Sequence, residues 1–240
     1  MKVSVVIPAH NEERYIGRTL AAVKAQSYPD IEIIVVDNDS TDRTAEIVRA
    51  IPGVRLVQET RRGVQFAREA GRHVATGDII VNLDADCRPE PDWISRAVAH
   101  FADPRVVGLS GPYQHYDASV PFRLASFLTQ NVFFFCVSNI ANALFHHGVI
   151  AMGGNLFARA SALRTIGGYD TTIKFHGDDI DTSNRLAAIG SFRYCNDIAV
   201  GSSARRYQTL GYFKVQWRYL INYVWVVFFH RPYRNDFGTT

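Results

Sequence analysis

The sequence predicts an α/β fold built on a mainly parallel sheet with helices packed against it. Three observations carry that reading. Short runs rich in Val and Ile recur at 3–7, 31–36, 54–57 and 79–83, the pattern of strands buried on both faces. Amphipathic stretches over roughly 12–26, 42–50 and 64–75 separate them, and a spacing of about 25 residues suits βαβ crossovers. Polar residues then gather where each apolar run ends, which in such sheets is the edge where ligands bind.

Taken in order, the first run leads into Pro8-Ala9-His10-Asn11-Glu12-Glu13. Asn11 is expected to cap the next helix, and Glu13 to complement its dipole. The second run ends in Asp37-Asn38-Asp39-Ser40-Thr41-Asp42. This opens like a calcium loop, but the sixth position is Asp42 rather than Gly and the twelfth is Val48 rather than Glu, so an EF-hand is excluded. Residues 40–42 are expected to cap the following helix, while Asp37 at the strand end is free to accept hydrogen bonds from a ligand N–H or hydroxyl. After the third run, Arg61-Arg62-Gly63 opens a helix that also carries Arg68, and basic groups near a helix start favour phosphate.

The fourth run delivers Asp84-Ala85-Asp86. Side chains alternate along a strand, so both carboxylates leave it on the same side. Two such charges repel unless neutralised, and hard carboxylate oxygens suit Mg²⁺ or Mn²⁺. The alternative at this point is a pair of aspartates that merely turn the chain. None of these loops contains the glycine fingerprint of a dinucleotide-binding dehydrogenase or of a P-loop NTPase. A hydrophobic content of 47% over 240 residues is enough for a substantial core, and a net charge of +3 is too small to indicate nucleic acid. Three scattered cysteines, Cys87, Cys136 and Cys195, show neither metal spacing nor a disulfide framework, which favours a reducing compartment. The N-terminus enters the first strand directly, so no leader is expected. No apolar stretch is expected to reach the roughly 20 residues that span a bilayer.

The opening Val3-Ser4-Val5-Val6-Ile7-Pro8-Ala9-His10-Asn11-Glu12, the segment Ile33-Ile34-Val35-Val36-Asp37-Asn38-Asp39-Ser40-Thr41-Asp42 and the Asp84-Ala85-Asp86 motif, in that order, resemble the family-2 inverting nucleotide-sugar glycosyltransferases. The resemblance implies a GT-A fold, Rossmann-like, with a mixed, mainly parallel central sheet flanked by helices. It implies that Pro8, Ala9, His10, Glu12 and Asp37 hold the nucleotide, with Arg62 and Arg68 nearby. It assigns Asp86 to direct ligation of Mn²⁺ or Mg²⁺, and Asp84 to the ribose and to support of the metal.

In the second half, 91–101 reads as a helix, 106–109 as a strand, 184–189 as a helix and 190–200 as a final strand. Residues 124–150 contain no Asp, Glu, Lys or Arg but are studded with Gln, Asn, Ser and His, so a buried or interfacial helix is expected there rather than a span. His146 and His147 read as helix-end histidines, with metal binding as the alternative. Met152-Gly153-Gly154-Asn155 resembles the family's acceptor-side strand, which puts Gly153, Gly154 and Asn155 near the acceptor. The Gly177-Asp178-Asp179 stretch aligns with the family's Glu-Asp; Asp179 takes the position of the catalytic base and Asp178 is the second candidate. Arg205 and Arg206, after the last strand, are expected to balance the donor diphosphate.

The domain reading is a transferase unit over 1–205, with a nucleotide half at 1–110 and an acceptor half at 111–205, and a basic aromatic tail over 206–240. From Gly201 onward there are six Lys or Arg, namely Arg205, Arg206, Lys214, Arg218, Arg231 and Arg234, against the single acid Asp236. The apolar 219–229 segment, too short to span, suits a membrane-interface helix, with packing in a homodimer as the alternative. The function expected is metal-dependent, inverting transfer from a nucleoside-diphosphate sugar, UDP by default, to a hydroxyl acceptor that the tail suggests is lipid-linked. The place expected is the cytoplasm, at the cytoplasmic face of the membrane, with no nucleic acid partner. A sugar-nucleotide pyrophosphorylase and a non-catalytic membrane-associated scaffold are the competing readings.

Overall fold

The computed structural model describes residues 1–145, 150–173, 177–211, 214, 215, 217–219, 221 and 225, with backbone only for 141–145. His146, His147 and most of the 212–234 tail lie outside the described residues. The first half follows the predicted alternation: β1 (Val3–Ala9), α1 (Ile16–Lys24), β2 (Ile31–Asp37), α2 (Thr44–Arg49), β3 (Val54–Gln58), α3 (Val64–Val74) and β4 (Ile79–Leu83). After it come α4 (Trp93–His100), β5 (Val106–Ser110) and β6 (Tyr113–His115). A long helical stretch follows, formed by α5 (Val120–Leu128), a π-helical turn (Thr129–Phe134) and α6 (Phe135–Phe145). The chain then builds β7 (Asn155–Arg159), α7 (Ala160–Thr165), α8 (Asp178–Ala187), β8 (Ser191–Tyr194), a 3₁₀ turn (Asn196–Ile198), β9 (Val200–Ser202) and α9 (Arg205–Leu210).

The main sheet has the order β3-β2-β1-β4-β7-β5-β8. β1 to β4 are parallel, and β7 runs against both of its neighbours, β4 and β5. Strands from both halves of the chain therefore share one sheet. The pleat divides the core in two: Val3, Val5 and Ile7 of β1 pack with α1 and α4 residues such as Leu20 and Ile94, while Val6 packs on the other face with Ala67, Leu163 and Leu186 from α3, α7 and α8. α3 lies against β1 because Gly71 has no side chain; a Cβ there would come within 2.3 Å of Val6 Cγ1.

Four local expectations change. The predicted final strand over 190–200 splits, since β8 ends at Tyr194 and β9 leaves the main sheet to pair with β6 in a separate two-stranded sheet. α8 begins at Asp178 rather than at Asn184, so its three aspartates form the first helical turn. Asn11 is not a helix cap: it sits at φ 54°, and its side-chain oxygen accepts from Thr41 N–H at 2.8 Å. The helix therefore starts only at Ile16, because the preceding loop is tied across to the β2–α2 loop, where Glu12 N–H meets Thr44 Oγ1 and Glu13 N–H meets Asp42 Oδ2. Finally, Val120–Ile140 is a continuous 21-residue helix with mean hydropathy 1.3, long and apolar enough by length and composition to cross a membrane. The expectation that no stretch reaches that length is corrected, and the expectation of a buried helix fails with it, because much of its apolar surface is exposed.

Candidate functional site

The site forms where β4 ends. Asp84 and Asp86 follow its last residue, and the loop between them is fixed by Thr19 Oγ1 donating to Ala85 O at 2.6 Å and Tyr116 Oη donating to Asp86 O at 3.0 Å. Tyr113 Oη donates to Asp84 Oδ2 at 3.1 Å and accepts from Gly154 N–H at 2.8 Å. Burial, then the Asp84 charge, pushes the Tyr113 phenol well above its ordinary pKa, so it remains a donor. Tyr113 is held in turn by Gln130 of the π turn, which pairs with its backbone N–H and C=O.

Asp86 is buried, and burial followed by the Asp84 charge pushes its pKa up to about 7 against the opposing pull of Arg205. Arg205 Nε lies 3.2 Å from Asp86 Oδ2, and the same guanidinium grips the Glu12 carboxylate with both terminal nitrogens. It also stacks over Tyr15 at 4.7 Å. Asp117 fixes the start of α9 by accepting from Ser203 Oγ and Ala204 N–H, each at 2.6 Å. Arg206 donates to Tyr219 Oη at 2.7 Å, and its charge also acts on Asp84 and Asp86.

Along the β1 and β2 ends, Pro8 and Ala9 lie in register with Val36 and Asp37. Asp37 is buried and accepts from Ser40 N–H at 3.3 Å. His10 uses Nδ1 on Asn38 O at 2.9 Å, and its Nε2 meets Arg62 Nη2 at 2.8 Å. Arg62 thus joins the β1 and β3 loops above the sheet edge.

Arg68 is placed differently from Arg62. It is buried, pairs with Asp178, and reaches within 3.6 Å of Asp84 Oδ1. It is an internal bridge between the β4 carboxylate and the head of α8. Asp178 is committed to this pair. Asp179 Oδ1 accepts from its neighbour Ile180 N–H at 2.9 Å, and burial, then the Asp178 charge, raises its pKa although Arg68 opposes the rise. A buried carboxyl shifted towards neutrality beside an ion-paired neighbour has the character of a general base.

Just before β7, Gly153 and Gly154 make room for side chains of the protein itself. A Cβ on Gly154 would fall 2.0 Å from Asp84 Cγ, and one on Gly153 would fall 2.7 Å from Arg68 Nη2. Asn155 is wholly buried. Its amide accepts from Trp93 Nε1 at 3.2 Å and donates to Ile198 O at 2.9 Å, so it joins α4 to the 3₁₀ turn and has no surface to offer a ligand.

Sequence reasoning missed Tyr113, Gln130, Asp117 and Asn38. Asn38 is buried and closes the β3–α3 loop, donating to Glu59 O and Arg61 O and accepting from Gly63 N–H at 2.8 Å. Its place directly after Asp37 at a strand end was the available signal. Tyr113 had none, because its partners are 29 and 41 residues away.

A divalent ion fits the Asp84–Asp86 edge by donor chemistry. Two hard carboxylates lie there near enough for the charge of Asp84 to raise the pKa of Asp86, one is buried at a cost, and the charge balancing it is an arginine in ion-pair contact. Asp84 and Asp86 would hold such an ion as two carboxylate ligands, a mode that suits Mg²⁺. The one cluster of three metal-type ligands among the described residues is His100, Cys195 and Asp197. One ligand atom of each lies within 4.8 Å of the others, and the imidazole is engaged on both sides, by Asp197 at Nε2 (2.9 Å) and by Cys195 Sγ at Nδ1 (4.0 Å).

The mixed sheet with its reversed β7 is the GT-A fold of nucleotide-sugar glycosyltransferases, the class to which the similar proteins belong. The model of the glycosyl transferase family 2 matches residues 4–167, and the chain belongs to that family. The chain is 27% identical over 227 residues to glycosyltransferase AglE of Haloferax volcanii, covering 87% of this chain and 69% of that protein. A glucosyl-dolichyl phosphate glucuronosyltransferase of the same organism is 28% identical over 190 residues, covering 74% of this chain and 59% of the relative. Among solved structures, the mannosyltransferase PcManGT from Pyrobaculum calidifontis, in complex with GDP-Man and Mn²⁺, superposes with a TM-score of 0.73 at 26% identity. The match covers 92% of this chain and 62% of that one. The chain thus spans about three-fifths to two-thirds of the length of these relatives.

Proposed function

We propose that this chain is a metal-dependent inverting glycosyltransferase that moves a sugar, of hexosyl type, from a nucleoside-diphosphate donor to a hydroxyl acceptor. The observation that carries the reading is the bridge made by Arg68. It ties the donor-side Asp84 directly to the Asp178–Asp179 pair at the head of α8, so metal-type carboxylates and a base with a raised pKa share one edge. Pro8, Ala9, His10, Glu12, Asp37 and Arg62 border the nucleotide; Gly153 and Gly154 border the acceptor. Asp179 takes the proton from the acceptor hydroxyl, and Asp178 is fixed by Arg68 so that only one of the two is free to do so. Mn²⁺ or Mg²⁺ held by Asp86 and Asp84 would supply charge stabilisation to the departing diphosphate. Arg205 and Arg206, both on α9, assist that departure once Arg205 leaves Glu12.

UDP is the default donor base, and GDP is its nearest competitor because PcManGT was solved with GDP-Man. A lipid-linked acceptor at the cytoplasmic face of the membrane is supported by the dolichyl phosphate relative and by the basic aromatic tail over 212–234, for which homodimer packing is the alternative. A pyrophosphorylase is disfavoured because the loop after β1, 8–12, carries no Gly, Lys or Arg. A non-catalytic scaffold predicts no metal-dependent nucleotide binding, so thermal shifts with UDP, GDP, CDP and dTDP plus Mn²⁺ separate it. Asp179→Asn should lower turnover by roughly 10²–10⁴-fold while leaving Mn²⁺-dependent nucleotide binding intact. Wild-type turnover by that variant would remove Asp179 as the base.

A further inference from the structure

The helical stretch Val120–Ile140 has its polarity reversed with respect to the domain. Its polar residues Ser126, Gln130 and Ser138 are the buried ones. Each is satisfied inside: Gln130 with Tyr113 and Ser126, and Ser138 with both backbone groups of Ile150. The amides of Asn131 and Asn139 fold back onto the carbonyls of Phe127 and Phe135. What faces outward is Leu124, Phe127, Leu128, Val132, Phe133 and Ile140, each between 51% and 59% exposed. A helix packed on a water-soluble domain buries its apolar stripe and shows its polar one. This helix does the opposite over about 31 Å at 1.5 Å per residue, which is too large an apolar face to leave to water.

We propose that this face seats the protein on an anionic phospholipid surface, with the helix lying along the interface. Charge selects the occupant. The stretch 124–150 has no acidic or basic residue, while its surroundings are basic. Arg123 and Lys214 are exposed, and Trp217 is 63% exposed. The segment bearing Lys214, Trp217 and Arg218 leaves from α9, which packs on α5 through Tyr207 and Phe122, their ring centroids 5.1 Å apart. An apolar face with a basic, aromatic rim matches a bilayer that presents acyl chains beneath anionic headgroups. A second copy of the chain fits less well, because a two-fold contact sets the same patch against itself and brings like-charged rims together. The polar side of the helix stays on the domain, so the helix lies on the surface and does not cross it. The contact is independent of the transfer reaction; its apolar face lies on a different element from the tail, whose Lys214 and Trp217 contribute to its rim.

The test uses the full chain and vesicles of phosphatidylcholine with and without about one-third phosphatidylglycerol. Wild-type protein should sediment with the anionic vesicles. Replacing Leu124, Phe127 and Phe133 together by Ser should lower the partition coefficient at least about tenfold, with unchanged circular dichroism and melting, because all three side chains are exposed. Cys136 provides a readout that needs no substitution. It is exposed on this helix, whereas Cys87 and Cys195 are buried, so a polarity-sensitive dye on Cys136 should shift to the blue when anionic vesicles are added. No sedimentation of the wild type, no shift of the dye, or wild-type partitioning by the triple variant would each overturn the proposal. So would a wild-type dimer that the triple variant splits in light scattering without any vesicle binding, which would assign the face to a second copy.

Discussion

Asp86→Asn should make the metal-free protein more stable at pH 8. Burial and the neighbouring Asp84 raise the pKa of Asp86 from the ordinary 3.8 to about 7. Between those values the folded protein holds a proton that the unfolded chain has released, so native stability falls as pH rises through that window and the full penalty is present above pH 7. A rise of that size corresponds to at most about 4 kcal/mol. The Arg205 contact at 3.2 Å already offsets part of the repulsion, and Asn keeps an acceptor for it. If half of the ceiling is realised, about 2 kcal/mol, the melting temperature rises by about 4–8 °C for a chain of this size. Differential scanning fluorimetry in EDTA at pH 8 should show that gain, and at pH 5 it should shrink because wild-type Asp86 is then protonated as well. With Mn²⁺ and nucleoside diphosphate the order should reverse. Ligand at about 100 times its Kd stabilises the wild type by about 2.7 kcal/mol, and the variant should lose most of that increment. A lower melting temperature for the variant in EDTA at pH 8 would refute the reasoning, because it would make the Asp86–Arg205 pair a net stabiliser and not a cation site held open at a cost.

Three further substitutions probe the neighbouring contacts. Gly154→Ala places a Cβ 2.0 Å from Asp84 Cγ, so it should cost about 1–3 kcal/mol in urea denaturation and abolish metal-dependent nucleotide binding. Tyr113→Phe removes the donor to Asp84 and leaves Gly154 N–H without its 2.8 Å partner; metal-dependent nucleotide affinity measured by calorimetry should fall about threefold to tenfold, the worth of one hydrogen bond. Asn155→Ala strips Trp93 and Ile198 of a buried partner and should cost about 1–3 kcal/mol in stability, with the KM for acceptor unchanged.

The four strands of the first half were legible because parallel strands buried on both faces are written as unbroken apolar runs. The carboxylate edge was legible for the same reason: Asp37, Asp84 and Asp86 interrupt those runs at their ends. Contacts between distant loops were not readable. Asn11 looks like a cap from its neighbours, but its partner Thr41 lies 30 residues away. Arg68 looks like a phosphate ligand on a helix surface until the fold brings Asp178 to it from 110 residues away. Gly153 and Gly154 announce a close approach without saying of what, and the approaching groups are Arg68 and Asp84. Periodicity over Val120–Ile140 could show that a helix has two faces; only the packed structure tells which one is turned inward.

The reversal of β7 has a consequence for how this domain can be altered. In a wholly parallel sheet every loop at the ligand edge follows a strand, and neighbouring loops are independent additions. Here one strand begins at that edge. The segment entering β7 and the segment leaving β4 therefore occupy the same ground, and Leu83 is paired directly with Asn155. Residues 84–86 and 153–154 act as a single cassette cut from two places in the chain. A graft from a relative that carries one half and not the other would bring a side chain into the space its counterpart already fills, so changes to the two segments have to be inherited, or engineered, together.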